Sequence, residues 1–351
     1  MIRVGAEPGG RTPAHAGVSR RGRAWRVGLL RGVRHWVTAR ATDAALLAAP
    51  RLSVAAADRI GALLGRCGQH LPLVARQVAD NMRALGVYTA GAQREYFRQL
   101  GTHFAGALLA LRTSRDRPAA DLASLAVERV RLDPSVLGLR SALATGRGVI
   151  LMGPHIVNYL LNLARLSQEL PLTVYLRFSH SARRRAAKER WYQASGVGWI
   201  SEAAEAGGPL GRLGRMAEAL RRGRVLFITP DLPQPCDRGT PVRFFGREIY
   251  LPAGPALLAL RSGAPLFLLL ATVDGRQQRL LVQGPYDDAG QLDHLGGRKA
   301  AVQRRLQWFA SGLERFLRTQ TPLWYLWGDK RWTRLLRGDP RYVSPLPPGM
   351  E

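Results

Sequence analysis

The chain has 351 residues, 46% of them hydrophobic, enough for one large α/β domain with its own core plus an N-terminal extension. Its 52 Lys and Arg, nearly all arginine, face 25 Asp and Glu, and the formal net charge of +27 favours acidic partners. Nucleic acid is excluded first, because the basic residues are spread along apparent helices and no zinc-finger, basic-zipper or aromatic RNA-binding signature occurs; anionic lipids, phosphorylated substrates and an acidic acyl carrier protein stay open.

Residues 1–40 hold nine arginines and the single acid Glu7, with Gly and Pro interspersed and no uninterrupted apolar core of a secretory signal, so a disordered basic arm is expected. Residues 41–120 form an N-terminal helical region. Ala44 through Ile60, Leu63 and Leu64 is amphipathic and fits a bilayer surface or a packed helix, and Leu71, Val74, Val78, Phe97, Leu100, Phe104 and Leu108 continue at helical spacing. No run is long and apolar enough to span a membrane. An α/β domain is expected over 121–335. Val149 to Met152, Leu172 to Leu176, Val225 to Ile228 and Pro265 to Thr272 read as strands, and segments near 156–170, 180–194, 209–222 and 254–262 as helices. This alternation predicts an α/β fold: a mainly parallel sheet flanked on both faces by helices, after the N-terminal helical extension. Asp274 to Arg298 reads as two β segments and a Gly/Asp-rich loop. A helix from about Ala300 to Arg318, the aromatic stretch Trp324-Tyr325-Leu326-Trp327, and a tail over 336–351 follow.

His155 is the side chain best suited to chemistry. It follows the apolar run Val149 to Met152 and the turn Gly153-Pro154, at the start of a helical stretch, which places an imidazole at the sheet edge where open α/β folds bind ligands. A hydrogen-bonded structural histidine is the alternative reading of the same pattern. No metal is expected: His15, His35, His70, His103, His180 and His294 lack ligand spacing, and Cys67 and Cys236 lie too far apart for a zinc or redox pair, as suits a reducing compartment. The glycine fingerprint of dinucleotide binding is missing as well.

Several separated segments share an order: Gly148-Val149-Ile150-Leu151-Met152-Gly153-Pro154-His155-Ile156-Val157-Asn158, then Val174 to Arg177, Pro230-Asp231, Val242-Arg243-Phe244-Phe245-Gly246, Gly254 to Ala259 and Ser262-Gly263-Ala264. With Asn81 to Leu85 and Trp327-Gly328-Asp329-Lys330-Arg331-Trp332, the set resembles the bacterial lipid A biosynthesis acyltransferases, the lauroyl and myristoyl transferases related to lysophospholipid and glycerolipid acyltransferases, over roughly residues 50–335. The resemblance implies a glycerolipid-acyltransferase-like fold and a histidine with a carboxylate five positions later. In that pair the histidine takes the proton of an acceptor hydroxyl as it attacks an acyl thioester, and the carboxylate orients the ring.

His155 matches the base, but the fifth position after it is Leu160, which can neither orient nor neutralise an imidazolium. Three explanations stand. Asp231, in the family's Pro-Asp segment, supplies the carboxylate, although it reads equally as a turn cap beside Pro230 and Pro233. Alternatively His155 works without an acid on an amine or a reactive thioester, or the chain is a non-catalytic lipid- or carrier-binding relative.

The resemblance also implies that Asn158 and Arg177 contact the acceptor or the oxyanion, Arg177 by gripping a phosphate. Phe245, Gly246 and Arg331 fall on further substrate-binding positions. Asp329 stands where a histidine is usual, and Ser195 to Ile200 lacks the family's arginine-rich turn, so a different glycolipid, a lysophospholipid, or a small amine or alcohol becomes a candidate acceptor. Arg183-Arg184-Arg185 with Lys188 and Arg190 reads as a solvated helix face or a docking site for an acidic carrier. Trp324, Tyr325 and Trp327 read as core, acyl groove or membrane interface.

The expected activity is acyl transfer from acyl carrier protein or coenzyme A to a hydroxyl or amine, with His155 and Asp231 catalytic, no cofactor beyond the thioester co-substrate, and no nucleic acid. The expected setting is the anionic inner face of a bacterial membrane, bound peripherally, with the cytoplasm as alternative.

Overall fold

The computed structural model describes residues 44, 48, 49, 52–112, 119–178, 181–202, 208–275, 277–287 and 297–343. The chain divides into Met1–Ala48 and Ala49–Glu351, and all that follows concerns the second unit. The expected basic arm, the loop around 288–296 and residues 344–351 of the expected tail lie outside the described residues.

Helices α1 (Val54–His70), α2 (Pro72–Ala84), α3 (Ala90–Arg112) and α4 (Ala119–Arg129) precede the sheet. Ser53 caps α1, its hydroxyl accepting the Ala56 N–H, and Pro72 opens α2 where its missing N–H costs nothing. Glycines let α1 and α3 approach each other at backbone distance: a Cβ on Gly61 would lie 2.3 Å from the Gly101 carbonyl oxygen. The apolar spacing of this region predicted buried faces, and Val78, Met82 and Phe97 are buried. Leu71 and Val74 are not, nor are Leu63, Leu64 and Leu73, because α1 and α2 use their small residues and the Val78–Met82 side for packing.

The remaining elements are β1 (Val130–Leu132), α5 (Leu137–Leu143), β2 (Val149–Met152), α6 (Tyr159–Ser167), β3 (Leu172–Leu176), α7 (Ala182–Ala194), β4 (Gly198–Ser201), α8 (Gly208–Arg221), β5 (Val225–Ile228), β6 (Thr240–Phe244), β7 (Arg247–Leu251), α9 (Gly254–Ser262), β8 (Leu266–Asp274), β9 (Gln277–Gln283), α10 (Gly297–Thr319) and α11 (Lys330–Leu336). Seven strands form one sheet in the order β1-β9-β8-β2-β5-β3-β4. Its β8-β2-β5-β3-β4 part is parallel, β9 runs antiparallel to β8, and β6 and β7 form a separate hairpin. Every residue of β2 and β5 is buried, as a strand covered on both faces by helices requires, which is why these segments are unbroken apolar runs.

Between Asp274 and Arg298, where two β segments were expected, the described residues hold one strand, β9, since β8 already ends at Asp274 and residues 284–287 belong to no strand. The helix expected from residue 156 starts at Tyr159, since Asn158 takes a left-handed conformation with φ 61°. The cationic run on α7 is not simply solvated: Lys188 and Arg185 lie over the Phe178 ring, and burial pushes the Lys188 ammonium below its ordinary pKa.

Candidate active site

Parallel strands carry residues of matching offset to the same sheet edge, and β2 and β5 are adjacent with Met152 opposite Ile228. His155 and Asp231 each lie three residues past those partners. The ladder continues beyond the strands through the Gly153 N–H on the Ile228 carbonyl, 3.1 Å. Gly153 is required here, because a Cβ would lie 2.8 Å from the Phe227 ring.

The two side chains meet. His155 Nδ1 is 2.6 Å from Asp231 Oδ1, and the His155 backbone N–H donates to Oδ2 at 2.7 Å. The Trp324 indole N–H also donates to Oδ2, at 2.9 Å, while the Trp332 indole N–H holds the Asp231 carbonyl at 2.9 Å. Asp231 has no exposed surface. A carboxylate stays ionised at such depth only when donors replace its water, and an ionised carboxylate can only accept, so Nδ1 carries the proton and donates it. That tautomer leaves Nε2 as the free acceptor on a side chain 29% exposed.

Burial alone would lower the imidazole pKa, and Arg331 adds to that effect. The Asp231 charge and hydrogen bond, helped by Asp329, outweigh both and raise it above its ordinary 6.5. From the other side, residues 323–325 run antiparallel to 155–157: the Val157 N–H donates to the Leu323 carbonyl at 3.0 Å and the Tyr325 N–H to the His155 carbonyl at 2.8 Å. Trp324, Trp327 and Trp332 are fully buried and pack edge to face with centroids 4.9 Å apart in the Trp324–Trp327 and Trp324–Trp332 pairs, so these indoles are core and Tyr325 is the exposed member of the stretch.

Asn158 lies three residues beyond His155. Its backbone N–H donates to His103 Nδ1 at 3.0 Å, an acceptor kept neutral because burial pushes the His103 pKa down to about 4. The Asn158 Oδ1 atom is buried without a hydrogen-bond partner. Leu160 faces a small void beside His103, Gly106 and Ala107.

Arg177 follows β3 at the same sheet edge as Asp231, with its side chain 67% exposed and Glu202 4.0 Å away. Arg331 is in the first turn of α11, 3.5 Å from Asp329, and reaches His155 only through its charge. Phe245 and Gly246 are the two-residue turn between β6 and β7, both at positive φ; the Phe245 N–H is bound to Glu314 and its ring lies under Arg318. The structure therefore brings together His155 and Asp231, with Asn158 and Arg331 beside them, and leaves Arg177, Phe245 and Gly246 without a hydrogen bond to that group. Sequence reasoning did not assign Trp324 and Trp332 as partners of Asp231, nor His103 as the partner of Asn158. The aromatic tail motif was a signal for the first two, whereas nothing local marked His103.

No curated protein matches the chain. A family model described as bacterial lipid A biosynthesis acyltransferase matches residues 135–334, which span β2, β5 and the tryptophan-bearing segment around the His155–Asp231 pair. The chain belongs to the bacterial lipid A biosynthesis acyltransferase family.

Proposed function

We propose that this chain transfers a fatty acyl group from an acyl carrier protein or coenzyme A thioester to a hydroxyl or amine of a lipid, glycolipid or specialised metabolite, with His155 as general base and Asp231 as its orienting acid. The observation that carries this reading is the 2.6 Å contact between His155 Nδ1 and a fully buried Asp231, which leaves Nε2 to take a proton. As the acceptor attacks the thioester carbon, its proton passes to Nε2 and the imidazolium forms against the Asp231 charge. Collapse of the tetrahedral intermediate breaks the C–S bond, and the departing thiolate takes that proton back. Leu160 leaves the usual carboxylate position empty, and Asp231 does its work from the neighbouring strand. Asn158, Arg177, Arg331 and the Phe245-Gly246 turn are proposed to contact substrate.

A peripheral seat on the anionic inner face of a bacterial membrane is supported by the exposed apolar residues of α1 and α2, Leu73 at 84% and Leu63 at 57%, set among Arg59, Arg66 and Arg76. Among the described residues no helix is long and apolar enough to cross a membrane. Purified wild type and His155→Ala, incubated with acyl carrier protein or coenzyme A thioesters and a bacterial lipid extract, test the activity: a new acylated product by mass spectrometry with wild type alone is expected. Equal product from both removes His155 from the mechanism, and none from either favours a binding protein. Binding to anionic vesicles that weakens steeply with salt, against neutral vesicles as control, tests the seat.

A further inference from the structure

Residues 153–158, between β2 and α6, form no strand or helix apart from the single bridge between Ile156 and Trp324, yet they carry His155. Such a segment keeps its shape only where its backbone groups find partners, and here the partners come from separate elements. The Gly153 N–H on the Ile228 carbonyl and the His155 N–H on Asp231 hold its start, and Leu323 and Tyr325 of the tail hold its middle. Its end is held by side chains. Gln278 and Asn162 each donate an amide N–H to the Val157 carbonyl, at 3.3 and 3.2 Å, and the Asn158 N–H donates to His103 Nδ1 at 3.0 Å.

His103 lies in the middle of α3, whose carbonyls are spent within the helix, so only a side chain can offer an acceptor there. Asn158 needs one. It turns the chain into α6 with φ 61°, a left-handed conformation that costs energy for residues other than glycine and persists only while its surroundings fix it. A carboxylate could accept the same N–H only by burying a charge, whereas a neutral imidazole accepts at Nδ1 without one, its proton being on Nε2. His103 keeps that form while the base titrates, since its pKa is pushed down to about 4 and that of His155 is raised above 6.5. The same ring packs against Tyr325, centroids 4.9 Å apart, and the Tyr325 N–H donates to the His155 carbonyl. His103 therefore meets the segment from both sides, at the helix start through Asn158 and at the tail through Tyr325.

We propose that His103 is a positioning residue of the acyl-transfer site: its neutral ring accepts the Asn158 N–H and packs against Tyr325, and so holds residues 153–158 where His155 meets Asp231. The inference rests on the acyl-transfer reading and adds to it a residue that touches neither the dyad nor the thioester. The 2.6 Å contact between His155 Nδ1 and Asp231 Oδ1 is what a shift of this segment would lengthen. A misplacement of about 1 Å at a reacting group is enough to slow catalysis by roughly two orders of magnitude.

The test is the state of His155 read by NMR, with turnover measured beside it. The titration midpoint of the His155 ring C–H resonance, assigned by its loss in His155→Ala, reports how closely Asp231 meets the imidazole. Thiol release from dodecanoyl coenzyme A, with a bacterial lipid extract present, reports kcat and KM. His103→Leu removes the acceptor, and His103→Gln keeps a neutral polar group but moves its acceptor one bond outward; His103→Asn keeps an oxygen where Nδ1 was. In the Leu and Gln variants the midpoint should move down, because the Asp231 contact that raises it is loosened, and kcat should fall roughly 10- to 100-fold with KM little changed. His103→Asn should restore both, and His103→Gln carries the test if the Leu variant does not fold. A wild-type midpoint and kcat in the Leu and Gln variants, even with a lower urea midpoint, would reduce His103 to packing. A raised KM at unchanged kcat would make it a wall of the substrate site, and Asn behaving like Leu would show that the bond to Asn158 is not what matters. Each of these overturns the inference. Midpoints that follow His103 as expected, in proteins that release no thiol, would retain the positioning role and discard the catalytic reading.

Discussion

The Trp324 indole N–H lies 2.9 Å from Asp231 Oδ2, the same oxygen that accepts the His155 backbone N–H, so one carboxylate oxygen is saturated by the tail and the strand end while the other is kept for the imidazole. This division orients the acid. Trp324→Phe removes a donor to a buried charge and should cost about 1.5–3 kcal/mol of stability, read as a lower urea midpoint, with acyl transfer reduced less than in His155→Ala. An unchanged midpoint would show that the indole is not what keeps the carboxylate in place.

Asp231→Asn keeps the size of the side chain but replaces an acceptor-only group with one that can also donate, so the Nδ1 proton is no longer specified. Turnover should fall by roughly 10²- to 10⁴-fold with acceptor binding preserved, measured by steady-state kinetics and by direct titration. A loss below threefold would assign Asp231 to packing alone.

The rate should rise with pH along a limb set by neutral His155, with a midpoint above 6.5, because Asp231 raises the imidazole pKa. In Asp231→Asn burial acts without that opposing charge, and the midpoint should move down. The same group stabilises the fold in the opposite sense: its contribution is fully present below the unfolded value of 6.5 and is lost as pH rises through the raised native value. Rate profiles and thermal melts over pH 5–9 of both proteins check the two signs together, the range being chosen to span roughly two units either side of the ordinary histidine value.

Leu160→Asp puts a carboxylate five positions after His155, where the sequence resemblance implies one, without giving it a partner. Nδ1 already holds Asp231, and the new carboxylate would enter the void by His103, whose ring is kept neutral by burial. No gain in turnover is expected, together with a stability loss of about 1–3 kcal/mol for burying an unpaired polar group. A faster enzyme would mean that His155 turns to the new acid and that Asp231 is not its natural partner.

Much of this protein is written locally. Val149 to Met152 and Val225 to Ile228 are apolar on both faces because they are central parallel strands, and these two and Leu172 to Leu176 appear at the bounds their patterns marked. The turn Gly153-Pro154 delivers His155 to the sheet edge for the same local reason. What sequence alone could not decide is which carboxylate meets that histidine, since Asp231 is 76 residues away and could equally have capped a turn. Strand order decided it: β5 lies against β2 in parallel register, so equal offsets from Met152 and Ile228 become neighbours in space. The pairings of Trp324 and Trp332 with Asp231 and of His103 with Asn158 are of the same kind. Each joins segments whose sequences carry no mark of one another, and only packing of the helices and the tail onto the sheet brings them within hydrogen-bonding range.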